Sequence, residues 1–345
     1  MLFSNFKIFN NKNIFITGGT GSFGSNFIKT LLTKSNPKKI ICFSRDELKQ
    51  FDLQNNLKKI DKKLCVRFFI GDVRDKDRLN LALLNNKIDF LIHAAALKQV
   101  PAIEYNPFEA VKTNILGAQN VIEVSIKNNV KKILALSTDK ASSPLNLYGA
   151  TKLVSDKLFI NGNFYSRNKS IFSVVRYGNV TNSRGSVIPF FNELNKKNKP
   201  FTVTHKEMTR FNISIEDAAN FTANSMAQMI GGEIFVPKIP SYNIIDLVNA
   251  YKKKINIKFI GLRPGEKLHE EMISNHDSIY TVEAKDHYVI LPNNNFFNYN
   301  VNTYILKKKN MHYKKVKKNF SYNSEENSKF LTTLELNKII SHTKT

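Results

Sequence analysis

Apolar and polar positions fall into a regular succession of blocks between residues 13 and 177. Asn13-Ile14-Phe15-Ile16-Thr17, Ile40 to Ser44, Arg67 to Ile70, Phe90-Leu91-Ile92, Ile133 to Leu136 and Phe172 to Tyr177 are short apolar runs bounded by polar residues. Runs of this length and composition read as buried strands. Helical spacing separates them: from Ser25 to about Lys34, around Ala110 to Val124, and from Tyr148, where Leu153, Leu158 and Ile160 stand among polar residues. Strands and helices alternating at this interval predict an α/β fold with a doubly wound parallel sheet. Beyond residue 180 the regularity fades. Short elements interrupted by Pro189, Pro200, Pro237, Pro240 and Pro264 predict a smaller C-terminal lobe. The expected division is therefore 1–180 and 181–345, the second part mixed α/β with a basic C-terminal segment.

The first strand runs directly into Gly18-Gly19-Thr20-Gly21-Ser22-Phe23-Gly24 and then a helix. Gly18, Gly21 and Gly24 form a GxxGxxG between strand and helix. That context marks a dinucleotide site, because glycine lets the backbone approach a pyrophosphate whose charge meets the helix N-terminus. The sheet is then of the Rossmann type. The second strand ends at Ser44-Arg45-Asp46, with Lys49 just beyond. An acidic residue here accepts hydrogen bonds from the NAD ribose, whereas an arginine accommodates the extra phosphate of NADP. Ser44-Arg45 comes first and predicts NADP; Asp46 keeps NAD open. Asp72, after the third strand, suits either the adenine amino group or a helix N-cap. After the fourth strand, His93 reads as a structural imidazole. Ala94-Ala95-Ala96 lets backbone pass close to a cofactor, and Lys98 suits either a diphosphate or a solvated surface.

The richest chemistry lies in Ser137-Thr138-Asp139-Lys140, a loop over 141–146, and Tyr148-Gly149-Ala150-Thr151-Lys152. Tyr148 and Lys152 are four apart and share a helix face. An ammonium nearby favours phenolate, so Lys152 is expected to lower the Tyr148 pKa, and a tyrosine so tuned can take a proton from a sugar hydroxyl. Asp139 and Lys140 follow the fifth strand, at the end of the sheet where such folds bind ligands. An acid, an amine and a phenol thus surround one point.

Composition adjusts this picture only slightly. The 345 residues carry a formal net charge of +24, from 43 Lys and nine Arg against 28 acidic residues. A basic balance suits nucleic acid or an anionic small substrate. There is no zinc spacing, heptad array or RNA-recognition signature beside it, and abundant Lys, Asn and Ile also follow from AT-rich codons. A nucleic-acid partner is not expected. The basic runs Lys307-Lys308-Lys309 and Lys314 to Lys318 read as a solvated face or flexible segment. Cys42 and Cys65 have no metal-type spacing and read as core residues of a reducing, cytoplasmic protein; no metal is expected. No run reaches membrane-spanning length, so no membrane partner is expected.

Several motifs together resemble a known family. Thr17 to Gly24, Ser44-Arg45-Asp46-Glu47-Leu48-Lys49 and Gly71-Asp72-Val73-Arg74-Asp75 are similar to the extended short-chain dehydrogenase/reductases. Ser137 to Ala141 with Asn146 to Lys152 resembles the soluble, inverting UDP-N-acetylglucosamine 4,6-dehydratases. So do Arg176-Tyr177-Gly178-Asn179-Val180, Met208 to Phe211, Phe235 to Pro240 and Arg263-Pro264-Gly265-Glu266-Lys267-Leu268-His269-Glu270. The resemblance runs from about residue 12 to about 335. It implies NADP held along Gly18, Thr20, Gly21, Ser22, Phe23, Gly24, Ser44, Arg45, Asp46, Lys49, Asp72, Val73, Ala94, Ala95, Thr113, Tyr148, Lys152 and Val180. The smaller lobe becomes a substrate-binding lobe, with UDP-N-acetylglucosamine along Lys98, Asn179, Val187, Thr204, Arg263 and Asn327. In that family's chemistry Tyr148, with Lys152 and the Thr138 hydroxyl, deprotonates O4. Lys140 removes H5 and Asp139 protonates the departing 6-hydroxyl. The hydride that C4 has given to the nicotinamide then returns to C6, and reprotonation from the opposite face inverts C5.

For this scheme the Lys140 pKa is expected to fall and that of Asp139 to rise. The resemblance also implies a homo-oligomer and a product used for pseudaminic-acid-like or other deoxy-aminosugars. Gln99 departs from a common His, and Asn212 from a frequent aromatic. Retaining, membrane-linked relatives carry Met where Tyr148 stands. The competing enzyme is a nucleotide-sugar epimerase, which shares the Tyr and Lys but usually lacks the Asp-Lys pair.

Overall fold

Six strands carry the fold up to residue 177: β1 (Asn13–Thr17), β2 (Lys39–Ser44), β3 (Val66–Ile70), β4 (Phe90–His93), β5 (Lys132–Thr138) and β6 (Ile171–Tyr177). In this computed structural model, which describes residues 5–167, 169–251, 255–293, 297 and 299–342, they lie parallel in the order β3-β2-β1-β4-β5-β6. All six expected strands are present, lengthened by at most three residues, the most at β5. The order reverses between β1 and β4, and the crevice above the carboxyl ends there is the ligand position of open α/β sheets. Helices cover both faces. Ile14, Phe15, Ile16, Ile40, Ile41, Leu91, Ile92, Ile133, Leu134, Val174 and Val175 are consequently buried without alternation. Cys42 lies in the same core, where burial pushes its thiol up to about 12.

The first helix, Ser22–Lys34, starts three residues earlier than its hydrophobic pattern suggests, because Gly21 is already extended (φ −68°, ψ 169°) and serves as the N-cap. Helix Leu147–Tyr165 is capped by Asn146, whose side chain accepts from the Gly149 amide at 2.8 Å. Its buried face carries Lys152, Ser155, Asp156 and Phe159. Asp156 takes a hydrogen bond from Ser137 (2.8 Å) and pairs with the buried Arg176 of β6 (3.2 Å), whose guanidinium also donates to the Met272 carbonyl (3.0 Å). This pins β5, β6 and the helix together directly behind the site.

The boundary expected at residue 180 does not divide the chain into two contiguous units. Ile234–Pro237 pairs parallel with β6, and Thr281–Glu283, His287–Ile290 and Lys314–Lys315 extend the same sheet antiparallel to ten strands. Ile234, Phe235 and Val236 are all buried, and such a segment needs cover on both faces, which the sheet interior provides. Lys314 and Lys315 form its outer strand and are exposed, so this part of the basic run is folded as a solvated edge. Lysine there discourages pairing with another chain.

The smaller lobe comes from the remaining segments. A three-stranded sheet of Asn179–Val180, Thr209–Ile213 and Ser241–Asn243 borders it. Its own core gathers Ile188, Phe191, Phe201, Val203, Tyr242, Leu247, Tyr251, Leu336 and Ile340, with Phe191 stacked on Phe201 at 4.5 Å. Among the described residues no helix is long and apolar enough to cross a membrane.

Candidate active site

A cleft of about 840 Å³ opens above the carboxyl ends of β1, β4 and β5, and a second cavity of about 510 Å³ adjoins it. Gly18, Gly21, Ser22, Phe23, Gly24 and Ala94 line one end of the large cleft, with Thr138, Lys140 and Tyr148 along it. Asn179, Val187, Arg210, Arg263 and Glu266 line both cavities, and Thr204 lines the smaller. The cleft thus runs from the glycine loop, past the acid–base residues, into the smaller lobe.

The glycine loop has the form a dinucleotide needs. Gly18 sits at φ +65°, and a Cβ there would stand 2.8 Å from the Ala95 amide nitrogen. Helix Ser22–Lys34 has no side chain capping its start, so its first amides lack side-chain acceptors beside the cleft. Such a helix start is a phosphate site. Val73 and Thr113 are buried beneath, and the Thr113 hydroxyl has no protein partner. Thr113 and Asn114 lie in the π-helical turn Val111–Leu116, where Asn114 bonds Leu97 and Thr151 and fixes the loop after β4. His93 is buried, bonded to Thr17 at 2.8 Å, and lowered to about 3 by desolvation, so it is neutral and structural.

Ser44, Arg45, Asp46, Lys49 and Asp72 lie at the ends of β2 and β3, outside the lining of the main cleft. Ser44 accepts from Gln50 (3.0 Å). Asp46 caps helix Glu47–Leu57 and is bound by Lys49. Asp72 is held by Arg74 (2.7 Å) and Arg45 (3.3 Å). The helix N-cap considered for Asp72 is instead Asp75. Lys98 lines the cleft, with its ammonium 3.5 Å from the Ser183 hydroxyl, and the residue is exposed there.

The acid–base residues are brought together by one tight approach. Asp139–Ala141 makes a 3-10 turn after β5, and helix Leu147–Tyr165 returns against it. Gly149 permits this: a Cβ there would stand 2.2 Å from the Lys140 carbonyl oxygen. Asp139 is fully buried. Its Oδ1 accepts from Thr138 (2.9 Å) and Lys140 Nζ (3.1 Å), and its Oδ2 has no partner. Burial raises its carboxyl against the pull of Lys140, the direction an acid requires.

Two electrostatic expectations differ from the structure. Burial acts to lower the Lys140 ammonium, but Asp139 and Glu270 outweigh it and hold it above the ordinary lysine value. Lys152 donates to the Leu136 carbonyl at 2.8 Å, and the cation that lowers Tyr148 is Lys140. Burial still prevails at Tyr148, whose phenol is pushed up to about 12, with Lys140 and the Thr138 hydrogen bond opposing. Spacing along a helix gives a shared face, but the Lys152 ammonium is claimed by a strand carbonyl.

Asn327 lines neither cavity. Its amide donates to the Ile239 carbonyl (2.8 Å) and Ser241 Oγ (2.9 Å), tying the tail to the lobe. Thr204 spends its hydroxyl on the Met208 sulfur (3.3 Å). Asn212 bonds Thr181 (2.9 Å), a polar contact that an aromatic residue would not make. Sequence reading overlooked two residues. Glu270 reaches Lys140 at 2.9 Å, and Arg210 stands 3.8 Å behind Glu270. Both belong to motifs noted in the sequence, but nothing in those motifs pairs them with β5.

Known proteins resemble this chain along most of its length. Residues 14–292 match the polysaccharide biosynthesis protein family. The chain is 51% identical over 339 residues to the UDP-N-acetylglucosamine 4,6-dehydratase (inverting) of Campylobacter jejuni subsp. jejuni serotype O:2, covering 98% of this chain and 99% of the relative. It is 42% identical over 301 residues to a UDP-glucose 4-epimerase of Rickettsia canadensis, covering 85% of this chain and 86% of the relative. The solved structure of Pen from Bacillus thuringiensis has a TM-score of 0.85 to it at 37% identity, covering 97% of this chain and 99% of that one.

Proposed function

This chain belongs to the polysaccharide biosynthesis protein family, on a short-chain dehydrogenase/reductase scaffold, and from that membership we propose that it is an inverting 4,6-dehydratase of UDP-N-acetylglucosamine. The product is a UDP-2-acetamido-2,6-dideoxy-4-keto-hexose. The observation that carries the reading is the Asp139–Lys140 pair beside Tyr148 at the cleft floor, which an epimerase has no use for.

The net reaction is loss of water, as in a lyase. Bound along the glycine loop, a nicotinamide dinucleotide supplies reversible two-electron oxidation of the sugar. Tyr148 takes the O4 proton in its phenolate form, which the Thr138 hydrogen bond and Lys140 favour against the burial that holds the phenol neutral. With C4 at the ketone level, H5 becomes acidic. Asp139 and Lys140 share one proton at rest. Its transfer from ammonium to carboxylate creates the base and the acid in one move, with no change in total charge. Lys140 then removes H5, Asp139 gives its proton to the departing 6-hydroxyl, and the pair returns to its starting state. Restoring at C6 the hydride lost from C4, with a proton reaching C5 from the opposite face, gives the saturated, inverted product. Arg263 on the rim suits the diphosphate, because a planar guanidinium matches phosphate oxygens. Lys98 and Asn179 line the path between.

The cofactor we assign is NADP. Asp46 is committed to a helix cap and to Lys49, whereas Arg45 is half-exposed at the end of β2. Arg45→Ala should weaken NADP about ten- to a hundredfold and leave NAD nearly unchanged, because a hydrogen bond to a charged group contributes about 1.5–3 kcal/mol. Titration calorimetry with both dinucleotides checks this, and equal loss for both would remove the assignment. For the reaction itself, incubation with UDP-N-acetylglucosamine should yield a product lighter by one water and carrying a 4-ketone. An epimer of unchanged mass would reject the dehydratase reading.

A further inference from the structure

Glu270 is buried beneath the cleft with its Oε1 2.9 Å from Lys140 Nζ, slightly closer than Asp139 Oδ1 at 3.1 Å. Its mounting is rigid. The Glu270 amide donates to Ser324 Oγ (2.9 Å), the Ser324 amide returns a bond to the Glu270 carbonyl (2.7 Å), and Ser324 Oγ meets Thr209 Oγ1 at 2.7 Å. The strand Glu271–Ile273, paired with Tyr322–Asn323, follows at once. Arg210 Nε stands 3.8 Å from the same Oε1, while Oε2 has no protein partner.

Resting on the dehydratase reading, we propose that Glu270 is a positioning residue for Lys140, a fixed anion that holds the amine at the cleft floor and stabilises it once it has taken the C5 proton. The need arises from proton traffic. Asp139 must be protonated when Lys140 is neutral, so in the reactive state it offers the amine no carboxylate. Glu270, kept as a carboxylate by Lys140 and Arg210 against its burial, can accept a hydrogen bond from the neutral amine and meet the ammonium as it re-forms. The groups facing Lys140 are Asp139 and Glu270, which favour its ammonium, and Arg210, Lys98 and Lys267, which oppose it; Tyr148 faces it as a neutral phenol. Losing one of two carboxylates tips that balance toward the free amine.

The test uses Glu270→Gln and Glu270→Asp in the full chain with cofactor bound. An opposite charge this close shifts a pKa by about 1–3 units. In Glu270→Gln the alkaline limb of kcat/KM should therefore move to lower pH by at least about one unit, with kcat reduced. Glu270→Asp keeps the charge and should keep the limb near its wild-type position. In parallel, NMR of 13Cε-labelled lysine, with the Lys140 signal assigned by its loss in Lys140→Arg, should show the amine titrating at lower pH in Glu270→Gln. A limb and a Lys140 midpoint both unmoved in a folded Glu270→Gln protein would overturn the proposal. If UDP-N-acetylglucosamine is not turned over at all, the dehydratase reading fails, and the Lys140 titration still decides the role of Glu270.

Discussion

Lys140→Ala should lower product formation by about 10²–10⁴-fold, the contribution of a positioned base, while leaving the bound cofactor in place. Oxidation at C4 remains possible because Tyr148 and Thr138 are untouched. It will be slower, since Lys140 is the cation that lowers the buried phenol. Elimination then has no base for H5, so nicotinamide absorbance near the reduced form's band should rise on mixing with substrate and persist. The variant also leaves two buried carboxylates, Asp139 and Glu270, without the ammonium between them. Carboxylates sharing a site retain a proton between them. The native state then binds more protons than the unfolded chain above the ordinary carboxylate range, so the variant's stability should fall as pH rises there. Thermal melts at pH 6 and pH 8 check this, with the lower Tm expected at pH 8. Dehydration at near wild-type rate would assign the base elsewhere.

Tyr148→Phe should reduce turnover by a similar factor of about 10²–10⁴, but it should stop the reaction one step earlier. Phe keeps the ring packing and removes only the hydroxyl, so the Tm should change little. Without the phenol there is no group at that point to take the O4 proton. Stopped-flow mixing with substrate should accordingly show no build-up of reduced nicotinamide, and H5 should not exchange. The contrast between the two variants orders the steps: Lys140→Ala accumulates an oxidised sugar, and Tyr148→Phe does not. Accumulation in Tyr148→Phe would remove Tyr148 from the O4 step.

The parts of this protein legible in its sequence are those built from neighbours in the chain. β1 to β6 announce themselves because a strand covered on both faces must be continuously apolar. The glycine loop and the stretch from Thr138 to Lys152 are contiguous, so their residues meet wherever the helix turns back. What spacing leaves out is contact across the fold. Glu270 reaches Lys140 only because the strand after it pairs with Tyr322–Asn323, and Arg210 arrives on a strand of the smaller lobe. The same cause reverses the electrostatics. Lys140 next to Asp139 alone reads as a candidate for a lowered pKa on burial, whereas a second carboxylate holds it up. Lys152 faces Tyr148 by count, yet the Leu136 carbonyl claims it. The boundary at residue 180 misplaced Ile234–Pro237 for a related reason: loss of βαβ rhythm does not exclude a late return to the sheet.

The most direct measurement is turnover of UDP-N-acetylglucosamine in heavy water, with the product's C5 read by NMR at early times. Removal of H5 by Lys140 and return of a solvent-derived proton to the opposite face predict one deuterium at C5 and inverted configuration there, with essentially none delivered by Lys140→Ala. A dehydrated product that keeps its original hydrogen at C5, or a sugar of unchanged mass altered only at C4, would contradict the account.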